Sequence, residues 1–253
     1  VVGTWLVLRG MSFFGDAFSH GIVPGLAAAV AFDFNPLLGA AIAAGLMLIG
    51  IETVTRKTKL GEDTAIGLLF VGMLALGVVI LSRTPSYSGS LTTILFGNPL
   101  GITAEDLLLQ SALAVVAIAT AMLLYRPLLA LAFNEQKAEL LGMHPSRTHA
   151  ALLVIIALAV IGSFQSVGSL LVFGLLVGPP AAASLLSRTV PRMMALAAVI
   201  AVVSVWLGLT LSYHWDVAAS ATMALIPIVV FFVVLAVTKL HRPSAPKPEP
   251  AAP

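Results

Sequence analysis

Residues 64–82 read Thr64-Ala65-Ile66-Gly67-Leu68-Leu69-Phe70-Val71-Gly72-Met73-Leu74-Ala75-Leu76-Gly77-Val78-Val79-Ile80-Leu81-Ser82, without one charged side chain. A hydrocarbon core about 30 Å thick is crossed by about 20 helical residues, and this stretch has that length and composition. Comparable runs recur at Ser12–Phe32, Pro36–Thr55, Leu107–Tyr125, His149–Val167, Gly168–Arg188, Pro191–Ser212 and Val217–Thr238. They are continuous rather than alternating, so they predict helices and not barrel strands. Val1–Leu8 is apolar but too short to cross, and reads as the end of a helix whose start lies upstream. The expected fold is all-α: a polytopic transmembrane bundle of about eight or nine helices. Val167 and Gly168 would join two helices almost without a loop.

Composition points the same way. Of 253 residues, 59% are hydrophobic and 9% charged, against roughly a quarter charged in a soluble domain. Mean hydropathy is +1.06. A net charge of +2 offers no basic surface for nucleic acid. The chain has no Cys, which removes disulfides, thiolate metal sites and a Cys nucleophile. Residues 1–242 form one transmembrane domain, and the Pro- and Ala-rich stretch 243–253 reads as a disordered tail.

Basic residues sort by loop. Arg56, Lys57 and Lys59 share one connection, and Arg126, Lys137 and Arg147 another. Arg188 and Arg192 flank a third, and Lys239, Arg242 and Lys247 follow the last span. The intervening connections, 33–35, 83–106 and 213–216, are poor in basic residues. The positive-inside rule puts the first set and the C-terminus in the cytoplasm.

Few ionisable residues lie within spans, and such residues are expensive and usually functional. Asp16 and His20 lie four apart in the first complete span, so one helical face presents both. A carboxylate and an imidazole on one face make half of a metal site for zinc, manganese or iron. Two copies about a two-fold axis would supply four ligands. The same pair would also serve as a hydrogen-bonded tie between helices, and both readings stand at this point. Gly21-Ile22-Val23-Pro24-Gly25 follows, predicting close packing and a bend just past the pair. Glu52 is one turn before Arg56 and is expected to reach the cytoplasmic surface; His214 and Asp216 read as solvated loop residues.

Between Tyr125 and His149 runs Arg-Pro-Leu-Leu-Ala-Leu-Ala-Phe-Asn-Glu-Gln-Lys-Ala-Glu-Leu-Leu-Gly. Asn134 suits an N-cap, Glu135 and Glu139 the first turns, and Gly142 a C-cap. This predicts a short amphipathic helix, lying on the membrane or docking into a soluble partner. No Walker motif occurs, and none of Lys57, Lys59, Lys137, Lys239 and Lys247 follows a Gly. If transport is ATP-driven, the ATPase is another chain.

Four blocks resemble the zinc/manganese permeases of bacterial ATP-binding-cassette importers. The first is Val7-Leu8-Arg9-Gly10-Met11-Ser12-Phe13-Phe14-Gly15-Asp16-Ala17-Phe18-Ser19-His20, ending in Pro24-Gly25. The second runs from Gly168-Ser169-Leu170-Leu171-Val172 through Leu175-Leu176-Val177-Gly178-Pro179 to Ala181-Ala182-Ala183. The third is Leu95-Phe96-Gly97-Asn98 with Ile102, Thr103 and Asp106; the fourth is Glu139-Leu140-Leu141-Gly142. The resemblance implies a permease subunit in the bacterial cytoplasmic membrane. It implies a second copy of the chain, two cytoplasmic ATPase subunits that bind ATP, and a periplasmic or lipid-anchored metal-binding protein. It makes Asp16 and His20 the metal-coordinating pair on the path of a transported zinc or manganese ion. It makes Asn134–Met143 the coupling segment, with Asn134, Glu135, Lys137, Glu139, Leu140, Leu141 and Gly142 facing the ATPase. Gly21, Pro24, Gly25, Pro179 and Pro180 would shape the bends. Pro180 stands where Ala is usual, Asn98 where Asp is usual, and Ala218 and Ser220 where Pro and Gly are usual. The rival reading is a stand-alone, proton-coupled carrier with Asp16 and His20 as a proton relay.

Overall fold

In the computed structural model, residues 1–58, 60–82, 97, 101–133, 139–140 and 142–240 are described. Ten helices are described in these residues: α1 Val2–Leu8, α2 Ser12–Gly21, α3 Val23–Phe32, α4 Pro36–Lys57, α5 Glu62–Leu81, α6 Ala104–Leu123, α7 Tyr125–Phe133, α8 Pro145–Leu186, α9 Val190–Trp215 and α10 Ala219–Leu240. Seven segments are long and apolar enough to cross a membrane, and Leu171–Leu186 is a shorter apolar helix. The expected all-α transmembrane bundle is thus observed.

The sequence sets the helix starts. Asn35 accepts from the Leu37 N–H at 2.8 Å and Pro36 opens α4, so a missing donor falls where none is needed. Thr103 and Asp106 cap α6 reciprocally: the Asp106 N–H donates to Thr103 Oγ1 at 3.2 Å and the Thr103 N–H to Asp106 Oδ2 at 3.0 Å. The fourth span therefore begins at Ala104, three residues before the apolar run starts at Leu107. The helices α3 and α9 end on Asp33 (φ 53°) and Asp216 (φ 52°) in the left-handed conformation, which Asp tolerates better than most residues.

At about 1.5 Å per residue, 42 helical residues would extend about 63 Å, twice the hydrocarbon thickness. The helix α8 meets this limit with a break. Gly168 has φ 72° and ψ 164°, a conformation reserved for Gly, and it divides the element into a first part that precedes it and the shorter apolar helix Leu171–Leu186. The expected boundary falls at this residue. Pro179 and Pro180 lie inside the second part, and Gly168 is the sole non-helical residue of α8. The substitution at Pro180 therefore leaves the helix unbroken.

The spans are apolar outside as well as inside. Asp63–Leu81 has hydropathy 2.6 with 22% of its window buried, and Leu68 and Val71 are both 61% exposed. Lipid solvates such a surface and water does not. The core gathers around α1 and α2, where Trp5, Phe14 and Phe18 are buried with Leu152, Ile155 and Ile156 of α8. Trp5 meets Tyr125 edge-on at 5.5 Å, which fastens α7 to this core.

Candidate metal half-site on the first span

Ser12–Phe32 is the least apolar of the seven spans, with hydropathy 1.2, and the most buried, at 67%. A soluble protein would invert that order. In lipid, polar groups are turned away from the hydrocarbon and toward the interior of the bundle. Here those groups include Asp16 and His20. His20 Nε2 lies 3.6 Å from Asp16 Oδ1, and the two side chains are 23% and 32% exposed. They are thus partly covered and still open to a ligand. An ion bonded to both atoms at about 2.1 Å would subtend about 118° at this separation, close to an ordinary coordination angle. The separation of the two atoms is thus compatible with a shared ion.

Two ligands do not hold a metal site by themselves. Among the described residues, no group of three or more His, Asp or Glu side chains is close enough to hold an ion. Ser19, between the pair in sequence, is buried and donates to the Gly15 carbonyl at 2.8 Å, so it serves the backbone.

The Gly21–Gly25 step lies immediately beyond. Helical hydrogen bonding is interrupted at Ile22, and α3 restarts with Pro24 in its first turn. The two glycines of the Gly21/Gly25 pair face different things. A Cβ on Gly21 would meet the sulfur of Met47, whereas one on Gly25 would meet the carbonyl of Gly39, and one on Gly39 the carbonyl of Gly25. Backbone therefore touches backbone between α3 and α4. On the other side, a Cβ on Gly77 of α5 would sit 3.1 Å from the Pro24 nitrogen. Two helices thus close on this stretch through glycines.

Sequence reading missed one neighbour of the pair. The ring of Phe70 on α5 lies 5.9 Å from the His20 ring and 6.0 Å from the Phe13 ring. No sequence spacing signals this, because it depends on which helix stands opposite α2.

The other candidates fall elsewhere. Glu52 is half-buried and lines a groove of about 420 Å³ with Thr53, Ser146 and Arg147 at one end of α4 and α8. His214 belongs to the last turn of α9, where its Nδ1 is 2.8 Å from the Thr210 carbonyl oxygen, and Asp216 caps that helix. Of the predicted coupling segment, Glu139, Leu140 and Gly142 are exposed, and Gly142 (φ 71°) donates to the Glu139 carbonyl at 3.0 Å. Asn134, Glu135, Lys137 and Leu141 lie outside the described residues, as do Leu95, Phe96, Asn98 and the tail 243–253. Gly178 lies where α8 meets α10, with a Cβ on it falling 3.0 Å from Pro227, whereas Pro179 and Pro180 line a cavity with Gly3 of α1 and Ala197 of α9; a Cβ on Gly3 would lie 3.1 Å from Pro180.

Residues 1–238 match the model of the ABC 3 transport family. The chain belongs to that family. It is 35% identical over 92% of its length to the manganese transport system membrane protein MntC of Listeria monocytogenes, covering 83% of that protein. It is 33% identical to the manganese import system permease protein ScaB of Streptococcus parasanguinis, over 92% of this chain and 82% of that one. It is also 30% identical to a protein of Haemophilus influenzae named for probable iron transport, over 95% of this chain and 89% of that one. Among solved structures, PsaBC of Streptococcus pneumoniae in complex with Fab superposes with TM-score 0.82 at 30% identity, over 92% of this chain and 84% of that one. An inward-facing metal-chelate type ABC transporter shares the fold at TM-score 0.72 and 18% identity, covering 93% of this chain and 82% of the other. The resemblance read from the four sequence blocks is therefore correct at the level of the ABC 3 transport family, and the chain is a multi-pass membrane protein of that family.

Proposed function

We propose that this chain is the permease subunit of an ATP-driven importer of a divalent transition metal, with Asp16 and His20 as half of the ion site on its path. The observation that carries this reading is the Asp16–His20 pair, 3.6 Å apart on the most buried and least apolar span. The carboxylate offsets the loss of the ion's hydration, which the surrounding apolar lining cannot do. A second copy of the chain contributes the same pair and completes a four-ligand site. Manganese is the favoured cargo, because relatives of 33–35% identity are named for manganese transport; zinc suits the same ligands. The segment Asn134–Met143 transmits the motion of separate ATPase subunits to the bundle, and a binding protein delivers the ion on the other side. ATP hydrolysis belongs to those ATPase subunits and not to this chain. The chain lies in the bacterial cytoplasmic membrane with its C-terminus in the cytoplasm. Membership of an ABC family weighs against the stand-alone proton-coupled carrier.

The test is uptake of Mn²⁺ by the full assembly in proteoliposomes. Asp16→Ala and His20→Ala each abolish uptake while the assembly still forms. Parental uptake by both variants would sink the assignment, and uptake without ATP would favour the carrier.

A further inference from the structure

We infer that Phe70 is a positioning residue for His20, an aromatic rest on α5 that holds the imidazole where it ligates the transported ion; this rests on the half-site reading above. The argument begins with register. Phe13, Asp16 and His20 lie three and then four residues apart, so they form one stripe along α2. Phe70 reaches both ends of that stripe, with its ring 6.0 Å from Phe13 at 78° and 5.9 Å from His20 at 59°. Both separations fall within the range of attractive, inclined ring pairs.

The carboxylate does not fix the ring: Nε2 is 3.6 Å from Asp16 Oδ1, beyond a hydrogen bond. Packing must therefore orient the imidazole. The Phe70 ring supports it from one side, and Phe13 in turn fixes Phe70. The platform is itself anchored. Seven residues beyond Phe70, Gly77 packs on the same span, where a Cβ would lie 2.9 Å from Val23 Cγ1 and 3.1 Å from the Pro24 nitrogen. So α5 lies along the first span, against both α2 and α3, with Phe70 and Gly77 about 10 Å apart on it.

The experiment uses the complete assembly in proteoliposomes and reads Mn²⁺ ions carried in per ATP hydrolysed. Phe70→Leu keeps most of the volume without the ring, Phe70→Ala removes both, and Phe70→Tyr keeps the ring. Loss of one ring contact is expected to lower the ratio roughly 3- to 10-fold in the Leu and Ala variants. Their ATP hydrolysis per assembled complex stays within about twofold of the parent, and Tyr restores the ratio. A purely structural role would lower uptake and hydrolysis together. That result, an unchanged ratio in Leu and Ala, or a Tyr variant no better than Leu would each overturn the proposal. Asp16→Ala and His20→Ala run alongside: if they transport like the parent, the half-site reading fails. If they do not transport and the Phe70 variants behave as the parent, only the role of Phe70 fails.

Discussion

Gly25→Ala tests the packing that holds the half-site helix in place. An added Cβ would overlap the Gly39 carbonyl oxygen and lie 2.6 Å from the Gly39 carbonyl carbon and 2.8 Å from Ala43 Cβ. Carbon atoms pack at about 3.5–4.0 Å, so α3 and α4 must part by about 1 Å or bend. The obstacle is backbone, which no rotamer change can move aside. Opening a packed surface by 0.5–1 Å forfeits about a quarter to a half of each contact's dispersion energy, and such overpacking costs about 1–3 kcal/mol. Against this stands a gain of about 0.5–1 kcal/mol for replacing a helical Gly by Ala. The net expectation is a loss of about 1–2 kcal/mol, which lowers the midpoint of unfolding by about 2–8 °C for a chain of this size. Thermal unfolding of the purified protein in detergent measures it. Gly45→Ala is the control, because nothing lies within 4 Å of its added Cβ. Gly39→Ala meets the same contact from the other side, so the double variant should lose less than the sum of the two singles. A Gly25→Ala midpoint equal to that of Gly45→Ala, or strictly additive losses at Gly25 and Gly39, would refute the reasoning.

Other consequences follow from the same geometry. Gly21→Ala should cost clearly less than Gly25→Ala in the same melt, since its obstacle is the sulfur of the flexible Met47 side chain. Gly168→Ala places a Cβ at φ 72° and ψ 164° and should destabilise by about 1–3 kcal/mol, seen as a lowered unfolding midpoint. Thr103→Ala removes the capping box of α6 and should cost about 1 kcal/mol, whereas Thr103→Ser should be nearly neutral.

What could be read from the sequence is what helix geometry makes local. Asp16 and His20 share a face because they are four apart, and no knowledge of the rest of the chain is needed. The spans were legible for the same reason, since lipid demands long apolar helices whatever their neighbours. Ends were less legible where polar residues start a helix, as Thr103 and Asp106 do ahead of the apolar Leu107. The turn at Gly168 was legible as a boundary but not as a single residue of positive φ, because two helices with one intervening Gly look like continuous apolar sequence. The different partners of Gly21 and Gly25, one a side chain and one a backbone, were invisible, since both are small residues four apart in one span. Phe70 was hidden among the apolar residues of its span for the same reason: its importance comes from a helix 50 residues away.

The small number of ligands is itself informative about transport. An ion that must be released on the far side of the membrane cannot be held as a structural zinc is held, by four fixed ligands that favour folding. A chain without Cys has no thiolate to offer, and the proposed site draws one carboxylate and one imidazole from a single helix. On the proposal that a second copy supplies the other half of the site, coordination would be completed or broken by moving one helix against its mate. Beyond His20 the first span packs closely on Gly39 of α4 and Gly77 of α5, so two neighbouring helices meet it there through glycines. A full set of ligands on a single chain would remove that control, because no rearrangement between subunits would then change how tightly the ion is held.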